Sequence, residues 1–334
     1  MKKTYYLFNP GRISRKDKTI KFVPHDDDGN DLPARYLPVE NVEDLYVFGS
    51  LDANSSMYNF LGKNNISAHF FDYYENYSGS FMPKESLLSG KVLLAQVKHH
   101  MNKKCRISIA QRILVGAVYN MLKNLRYYQT RGKGIEAEIA RIEHLEQSIT
   151  ETTDIESLMG IEGNIRKSYY HAFDQILNDF SMEGRSYRPP LNEVNALISF
   201  GNMMCYSQCL RAIHQTQLNP IISFLHQPGE RRYSLSLDLA EIFKPILVDR
   251  VIFKVLNKRE IQAKHFENDL NRIIMKESGK KIFVLAFESR LQETIRHRSL
   301  KRNVSYKYLI RLECYKLIKE ILDIEPYKPF KMYW

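Results

Sequence analysis

Tyr77-Ser78-Gly79-Ser80-Phe81-Met82-Pro83-Lys84 separates two stretches of chain with different apolar rhythms. Before it, apolar residues alternate with polar ones in short runs, the period of a half-buried strand; after it they recur at about 3.6, the period of a helix. Small residues, Gly79 and the helix-breaking Pro83 mark the change, so a domain boundary is expected there, with residues 1–82 forming one domain and 83–334 a second.

Outward from that boundary toward the N-terminus, residues 5–8, 19–22, 45–48 and 68–73 read as short strands. Turn-rich segments such as Asp26-Asp27-Asp28-Gly29-Asn30 separate them. One short helix interrupts them over residues 55–65, with Met57, Phe60 and Leu61 on one face and Gly62 near its end. Toward the C-terminus three apolar stripes mark helices: Ile109, Ile113, Ala117 and Met121; Ile135, Ile139, Ile142 and Ile149; Tyr308, Leu312, Tyr315 and Ile318. Arg131-Gly132-Lys133-Gly134 reads as a basic loop between two helices. The predicted fold class is therefore α+β, a small β-rich N-terminal domain followed by a larger all-α domain.

The composition restricts what such a protein does. With 334 residues and 44% apolar side chains the chain buries a substantial core, which excludes intrinsic disorder. Forty-nine Lys and Arg against 38 Asp and Glu leave a formal charge of +11, suited to a polyanion and to affinity that weakens with salt. The four cysteines, at 105, 205, 209 and 314, are too few and scattered for a disulfide framework and are expected to be buried thiols in a reducing compartment. Cys205 and Cys209 lie one helical turn apart, but no second Cys/His pair has the spacing of a zinc site. Lys2 and Lys3 precede only a very short apolar run, so neither a signal peptide nor a membrane span is expected and the cytoplasm is the expected location.

Three phrases carry chemistry. In Met159-Gly160-Ile161-Glu162-Gly163-Asn164-Ile165-Arg166, two glycines bracket Glu162 at what reads as a helix start. Ile165, Tyr169, Ala172 and Ile176 then form the inward stripe. Glu162 and Arg166 lie off that stripe one turn apart, either as a solvated ion pair or as a metal ligand beside a phosphate contact. In Phe224-Leu225-His226-Gln227-Pro228, His226 falls where a buried segment ends in a turn; its imidazole can bind a divalent ion, act as a base, or be satisfied locally. Arg231 and Arg232 follow closely. In Leu237-Asp238-Leu239-Ala240-Glu241-Ile242-Phe243-Lys244-Pro245, Asp238 and Glu241 share one side of a predicted helix, roughly 5–6 Å apart at Cβ, either joined by a cation or as ordinary acids of the helix's first turns. Taken together, two carboxylates and an imidazole make an open, mostly oxygen-ligand site for a hard divalent ion and a phosphodiester. Neither a Gly-rich phosphate loop ending in Lys-Ser/Thr nor a Ser/His/Asp nucleophile is present, so nucleotide hydrolysis and acyl transfer are not expected.

At these phrases the sequence resembles the family of CRISPR-associated protein one, the integrase and endonuclease of spacer acquisition. Its Gly-x-Glu-Gly segment, Phe-x-His turn and Asp-x-x-Glu-x-x-Arg/Lys-Pro helix recur here. Arg188-Pro189-Pro190, Asn195-Ala196-Leu197 leading to Phe200-Gly201, Phe287-Glu288 and Tyr327-Lys328-Pro329-Phe330 extend the likeness across most of residues 85–330. The resemblance implies Glu162, His226 and Glu241 as ligands of Mg²⁺ or Mn²⁺, with Asp238 an accessory acid. It also implies a β-rich domain suited to dimerisation, a homodimer, and a complex with the small dimeric CRISPR-associated protein two. The activity expected is insertion of foreign DNA fragments into a CRISPR array by attack of a 3′-hydroxyl on a phosphodiester, with water as nucleophile giving endonuclease activity instead. Arg166, Arg188, Arg231 and Lys244 are the expected backbone contacts on DNA. Two alternatives remain: a stand-alone nuclease for branched DNA, and a catalytically silent DNA-binding scaffold.

Overall fold

The computed structural model describes every residue except Met1, Asp27, Tyr73, Glu75, residues 84–86, Tyr187, Arg188, residues 230–232, Leu270, Asn271 and Trp334. It divides into two compact units, Met1–Leu88 and Ser89–Trp334.

The first unit holds β1 (Lys3–Leu7), β2 (Gly11–Lys16), β3 (Thr19–Pro24), β4 (Arg35–Pro38), β5 (Val42–Val47), β6 (Leu51–Asp52), α1 (Ser55–Lys63), β7 (Ser67–Phe71) and β8 (Tyr77–Phe81). Two four-stranded sheets result, in the orders β1-β5-β7-β8 and β4-β3-β2-β6. In the first, β5 pairs in parallel with both β1 and β7, and α1 is the crossover between β5 and β7. Leu45, Val47, Ile13, Ile20, Phe22, Met57, Leu61 and Ala68 fill the core of this unit. Asn54 caps α1 by accepting from the Met57 amide, and the left-handed residue after the helix is Asn65 rather than Gly62. The glycine- and serine-rich Tyr77–Phe81 stretch is itself a strand, antiparallel to β7, with the His69 ring bonded to Ser80 at 2.7 Å. Alternation in β8 is hidden because Ser80, bonded to His69 and to the Tyr77 hydroxyl, is half-buried while Ser78 is exposed.

The second unit is helical: α2 (Gly90–Met101), α3 (Lys103–Gln129), α4 (Glu136–Gln147), α5 (Ile155–His171), α6 (Phe173–Ile176), α7 (Glu193–His214), α8 (Ser234–Lys244), α9 (Arg250–Asn257), α10 (Glu277–Gln292) and α11 (Tyr306–Ile321). Two small ribbons, β9 (Phe266–Asp269) with β10 (Arg272–Met275) and β11 (Thr294–Arg296) with β12 (Asn303–Ser305), interrupt it. The α3 stripe of Ile109, Ile113, Ala117 and Met121 is fully buried, as are Ile135, Ile142 and Ile149, and a turn over residues 130–135 joins α3 to α4. On α11 the expected stripe is displaced. Ile318 is buried as expected, but Tyr308 and Leu312 are only half-buried and Tyr315 is exposed; the buried face is Tyr306, Leu309, Ile310, Glu313, Cys314, Leu317, Ile318 and Ile321. Buried Glu313 explains the shift, since it accepts from the Tyr327 hydroxyl at 2.6 Å and the Phe330 amide at 3.1 Å, so a charge occupies a core position.

Two glycines allow the close packing on which the site depends. A Cβ on Gly116 would fall 2.6 Å from Pro329, whose segment lies across α3, and one on Gly201 would fall 2.5 Å from Val248. No helix among the described residues is long and apolar enough to cross a membrane.

Candidate active site

The first site segment is the middle of a helix, not its beginning. Helix α5 starts at Ile155 with Asp154 as its cap, 2.7 Å from the Ser157 amide, so Gly160 and Gly163 are interior residues with open space at their Cβ positions. A tandem of glycines mid-helix costs helix propensity and is a misleading start signal. Ile165 and Tyr169 point inward, fully buried, while Glu162 and Arg166 lie at the margin with side chains 16% and 12% exposed. Arg166 Nε donates to Glu162 at 3.1 Å.

The second segment is a turn without regular structure, and its backbone groups find their partners in neighbouring helices. Buried Gln96 on α2 donates to the carbonyls of Asn219 and Ile222 at 3.0 and 2.7 Å and accepts from the Asn219 amide at 2.9 Å. His100 bonds the Ser223 carbonyl at 2.6 Å. Arg106 donates to the Phe224 carbonyl at 3.0 Å and to the Gln227 side chain at 2.9 Å. Burial pulls the Arg106 guanidinium below its ordinary value, partly offset by Asp238. From the other side, Asp238 accepts from the amides of Phe224, Leu225 and His226 at 2.6, 3.0 and 2.9 Å, and its Oδ1 is 2.8 Å from His226 Nδ1.

Helix α8 carries the remaining residues. Asp238 is fully buried and wholly engaged with the His226 turn, so its carboxylate holds the imidazole rather than opening toward solvent. With Nδ1 bound to Asp238, Nε2 faces Glu241 Oε1 at 4.0 Å, the arrangement by which a carboxylate orients an imidazole toward a further ligand. Glu241 is ion-paired to Arg166 through one oxygen and to Lys244 through the other. Burial alone would raise the Glu241 carboxyl, but Arg166, Lys244 and His226 overrule it and hold it down to about 2. Lys244 is raised against its own desolvation, chiefly by Glu241, and lies 3.4 Å from the Tyr206 hydroxyl.

Glu162, Arg166, His226, Asp238, Glu241 and Lys244 therefore form one continuous chain of contacts. His226 and Glu241 approach directly, whereas Glu162 reaches Glu241 through Arg166. Arg188 and Arg231 lie outside the described residues. The donor set, two carboxylates and an oriented imidazole, fits Mg²⁺ or Mn²⁺ chemically, and the buried Arg166 Nη1 has no hydrogen-bond partner among the described residues. Among the described residues no three His, Cys, Asp or Glu side chains stand close enough together to cage an ion, and Arg166 and Lys244 occupy the Glu241 oxygens. Cys205, Cys209 and Cys314 are buried free thiols as expected, whereas Cys105 is only half-buried.

Beneath the site lies a polar layer that the sequence did not announce. Helix α8 does not stop at Pro245 but passes through a π-helical turn, Pro245–Asp249, into α9. Asn124 donates to the Pro245 carbonyl at 2.6 Å and to the Tyr169 hydroxyl at 3.0 Å, and that hydroxyl donates to Asp249 at 3.0 Å. Asn120, one turn earlier on α3, donates to the carbonyls of Ile242 and Phe330. Burial pushes the Asp249 carboxyl up to about 7, with Arg166 and the Tyr169 hydroxyl opposing too weakly to prevent it. The available signal was Asn120 and Asn124, two amides four residues apart beside an apolar stripe.

Comparison with known proteins adds the following. The family model of CRISPR associated protein Cas1 matches residues 5–289. The chain is 45% identical to a CRISPR-associated endonuclease Cas1 of Fusobacterium nucleatum subsp. nucleatum, over 100% of this chain and 98% of that one. A CAS1 protein from Thermotoga maritima superposes with a TM-score of 0.85 at 37% identity, covering 97% of this chain and 98% of that one. The same fold recurs at 18% identity and a TM-score of 0.89 in a casposase bound to integration product, over 100% and 95% of the two chains. It is found again at 17% and 0.81 in a Cas6-RT-Cas1–Cas2 complex, where all of this chain matches 36% of the other.

Proposed function

The chain belongs to the Cas1 family of CRISPR-associated proteins, and from that premise we propose that it is a DNA endonuclease and integrase of spacer acquisition, in which a DNA 3′-hydroxyl attacks a phosphodiester of a CRISPR array, forming one P–O bond as another breaks and releases a 3′-hydroxyl of the array strand. The convergence of Glu162 from α5, His226 from its clamped turn and Glu241 from α8 on one cluster with Arg166 and Lys244 carries this reading.

In this reading Glu162, His226 Nε2 and Glu241 hold one Mg²⁺ or Mn²⁺. Such an ion supplies Lewis-acid polarisation of the phosphodiester and lowers the pKa of the attacking hydroxyl. Asp238 fixes the tautomer that leaves Nε2 unprotonated and aimed at Glu241. Arg166 and Lys244 neutralise Glu241 in the free protein, and with Glu241 engaged by an ion both cations would be available to offset negative charge on the phosphodiester. Two fixed donors inside a largely water-excluded cluster are there worth more than surface cations. DNA is the substrate, and the same proposal includes a homodimer formed through the N-terminal unit and assembly with Cas2, which the likeness to a Cas1–Cas2 complex supports.

The test is joining of a labelled strand with a free 3′-hydroxyl into a second duplex. With Mg²⁺ or Mn²⁺ the wild-type chain should give joined product, and chelation or His226→Ala should abolish it while DNA binding survives. Cut but unjoined product would favour the stand-alone nuclease. Undiminished processing by the His226→Ala protein would overturn the site assignment and leave the scaffold reading.

A further inference from the structure

We infer that the junction of α2 and α3, with Lys98, Lys103 and Lys104, is a second anchor for the DNA backbone, gripping the strand where it leaves the His226 turn. The inference rests on the DNA-processing reading above and says where that substrate runs.

The first observation is one of charge. Residues 86–135 contain ten Lys or Arg and no Asp or Glu, so this segment alone carries almost the whole +11 of the chain. Some of these cations are used internally: Arg112 pairs with Glu320, Arg126 with Glu143, and Arg106 holds the His226 turn. Lys98, Lys103 and Lys104 are exposed, and none of them forms an ion pair with a described carboxylate.

The second observation is that folding does not explain their position. Lys103 and Lys104 are the first two residues of the longest helix in the molecule, with no acid in its first turn. Asn102 caps the amides of Lys104 and Cys105, and the helix dipole still leaves that end positive, so acids stabilise it and lysines do not. The carboxyl end of α2 is already met by its own Lys98, His99 and His100, so it does not require the lysines of α3. Two lysines that oppose the helix they begin are what a site for an external polyanion needs, and residues that break a local rule mark function.

The third observation is continuity with the candidate active site. Lys103 and Arg106 are three residues apart and share a helix face, and Arg106 touches Gln227, the neighbour of His226. A DNA strand carries one charge per about 3.4 Å of axis, so it presents phosphates continuously from the scissile linkage to this face. An acidic protein surface would match the charge as well, but the contact of Arg106 with Gln227 sets these lysines beside the turn that carries His226, which favours DNA.

The sign of the helix effect allows a clean test. In the K103E/K104E protein the new acids lie at a positive helix end, so its melting temperature should equal or exceed that of the wild type. DNA affinity should move the other way, falling ~10- to 100-fold near 0.1 M salt, and the slope of log affinity against log salt should shrink by about two. At saturating DNA the joining rate should be unchanged, with the loss confined to KM. K103Q/K104Q, which adds no charge, should give the same change in slope should the reversed protein fold poorly. An unchanged slope and KM in both variants, with wild-type DNA binding steeply salt-dependent, would overturn the anchor while leaving the active site intact. Retained DNA binding with lost binding to Cas2 would also overturn it, in favour of a protein surface. A wild-type chain that binds no DNA at all would instead sink the family-based reading beneath it.

Discussion

Glu241 and Asp249 stand eight residues apart on one continuous run of helix, both almost wholly buried, yet their acidities move in opposite directions. Glu241 is held down at about 2 and Asp249 is pushed up to about 7. Desolvation acts on both in the same sense, so the difference comes from partners: a guanidinium and an ammonium in direct contact with Glu241, against only a more distant Arg166 and a phenol hydrogen bond for Asp249. Burial alone therefore does not identify a functional carboxylate. An ionised, cation-matched carboxylate is poised for exchange with another cation, whereas one that keeps its proton deep in a polar layer supports the helix that carries it.

The largest effect expected from this contrast is at Glu241. Glu241→Gln strands Lys244 and half-strands Arg166 in a buried place, and metal-free protein should lose about 3–5 kcal/mol in chemical denaturation, since breaking a buried pair leaves an uncompensated charge. A loss under ~1 kcal/mol would mean that the cations find other partners and the cluster is not a unit.

Asp249 should behave in the opposite way. Native Asp249 keeps its proton to about pH 7, while the unfolded chain releases it near 3.8, so the native state binds more protons in that window and stability falls as pH rises through it. Asp249→Asn removes that slope: variant and wild type should be closest near pH 4, with the variant gaining up to ~4 kcal/mol by pH 8. Denaturation at several pH values decides this. A variant destabilised as much as Glu241→Gln at pH 8 would show that Asp249 is ionised and serves as a third partner of Arg166.

A smaller and more specific effect is expected at Asp238, which orients His226 and holds its turn. Asp238→Asn should lower Mn²⁺ affinity and joining rate by about 10- to 100-fold, the usual cost of losing the partner that orients an imidazole ligand. Because three turn amides also bind that carboxylate, the imidazole's titration by NMR should be followed alongside, and an unshifted His226 resonance would restrict Asp238 to holding the turn.

How far these differences were legible follows from what each residue needs. The site residues stood in sequence beside unusual neighbours, Gly160 and Gly163, Pro228, and Asp238 three before Glu241, and local phrases of that kind survive without knowledge of the fold. The two-part architecture was legible because strand and helix periods differ over many residues, and the α3 stripe was right because every position in it is apolar. Glycines in mid-helix concealed the true start of α5, and the buried Glu313 displaced the α11 stripe, since periodicity reads polarity and not satisfied hydrogen bonds. The clamp of Gln96, His100 and Arg106 spans about 120 residues of sequence, and the layer of Asn124, Tyr169 and Asp249 joins three helices, so neither leaves a local trace.

Titration of the purified chain with Mn²⁺, followed by electron paramagnetic resonance, tests most directly whether these side chains form one ion-binding centre. One Mn²⁺ per wild-type chain, lost in Glu162→Gln, His226→Ala and Glu241→Gln proteins that remain folded, is the expected result. Stoichiometric binding that persists in those three proteins, or none in the wild type at millimolar Mn²⁺, would contradict it.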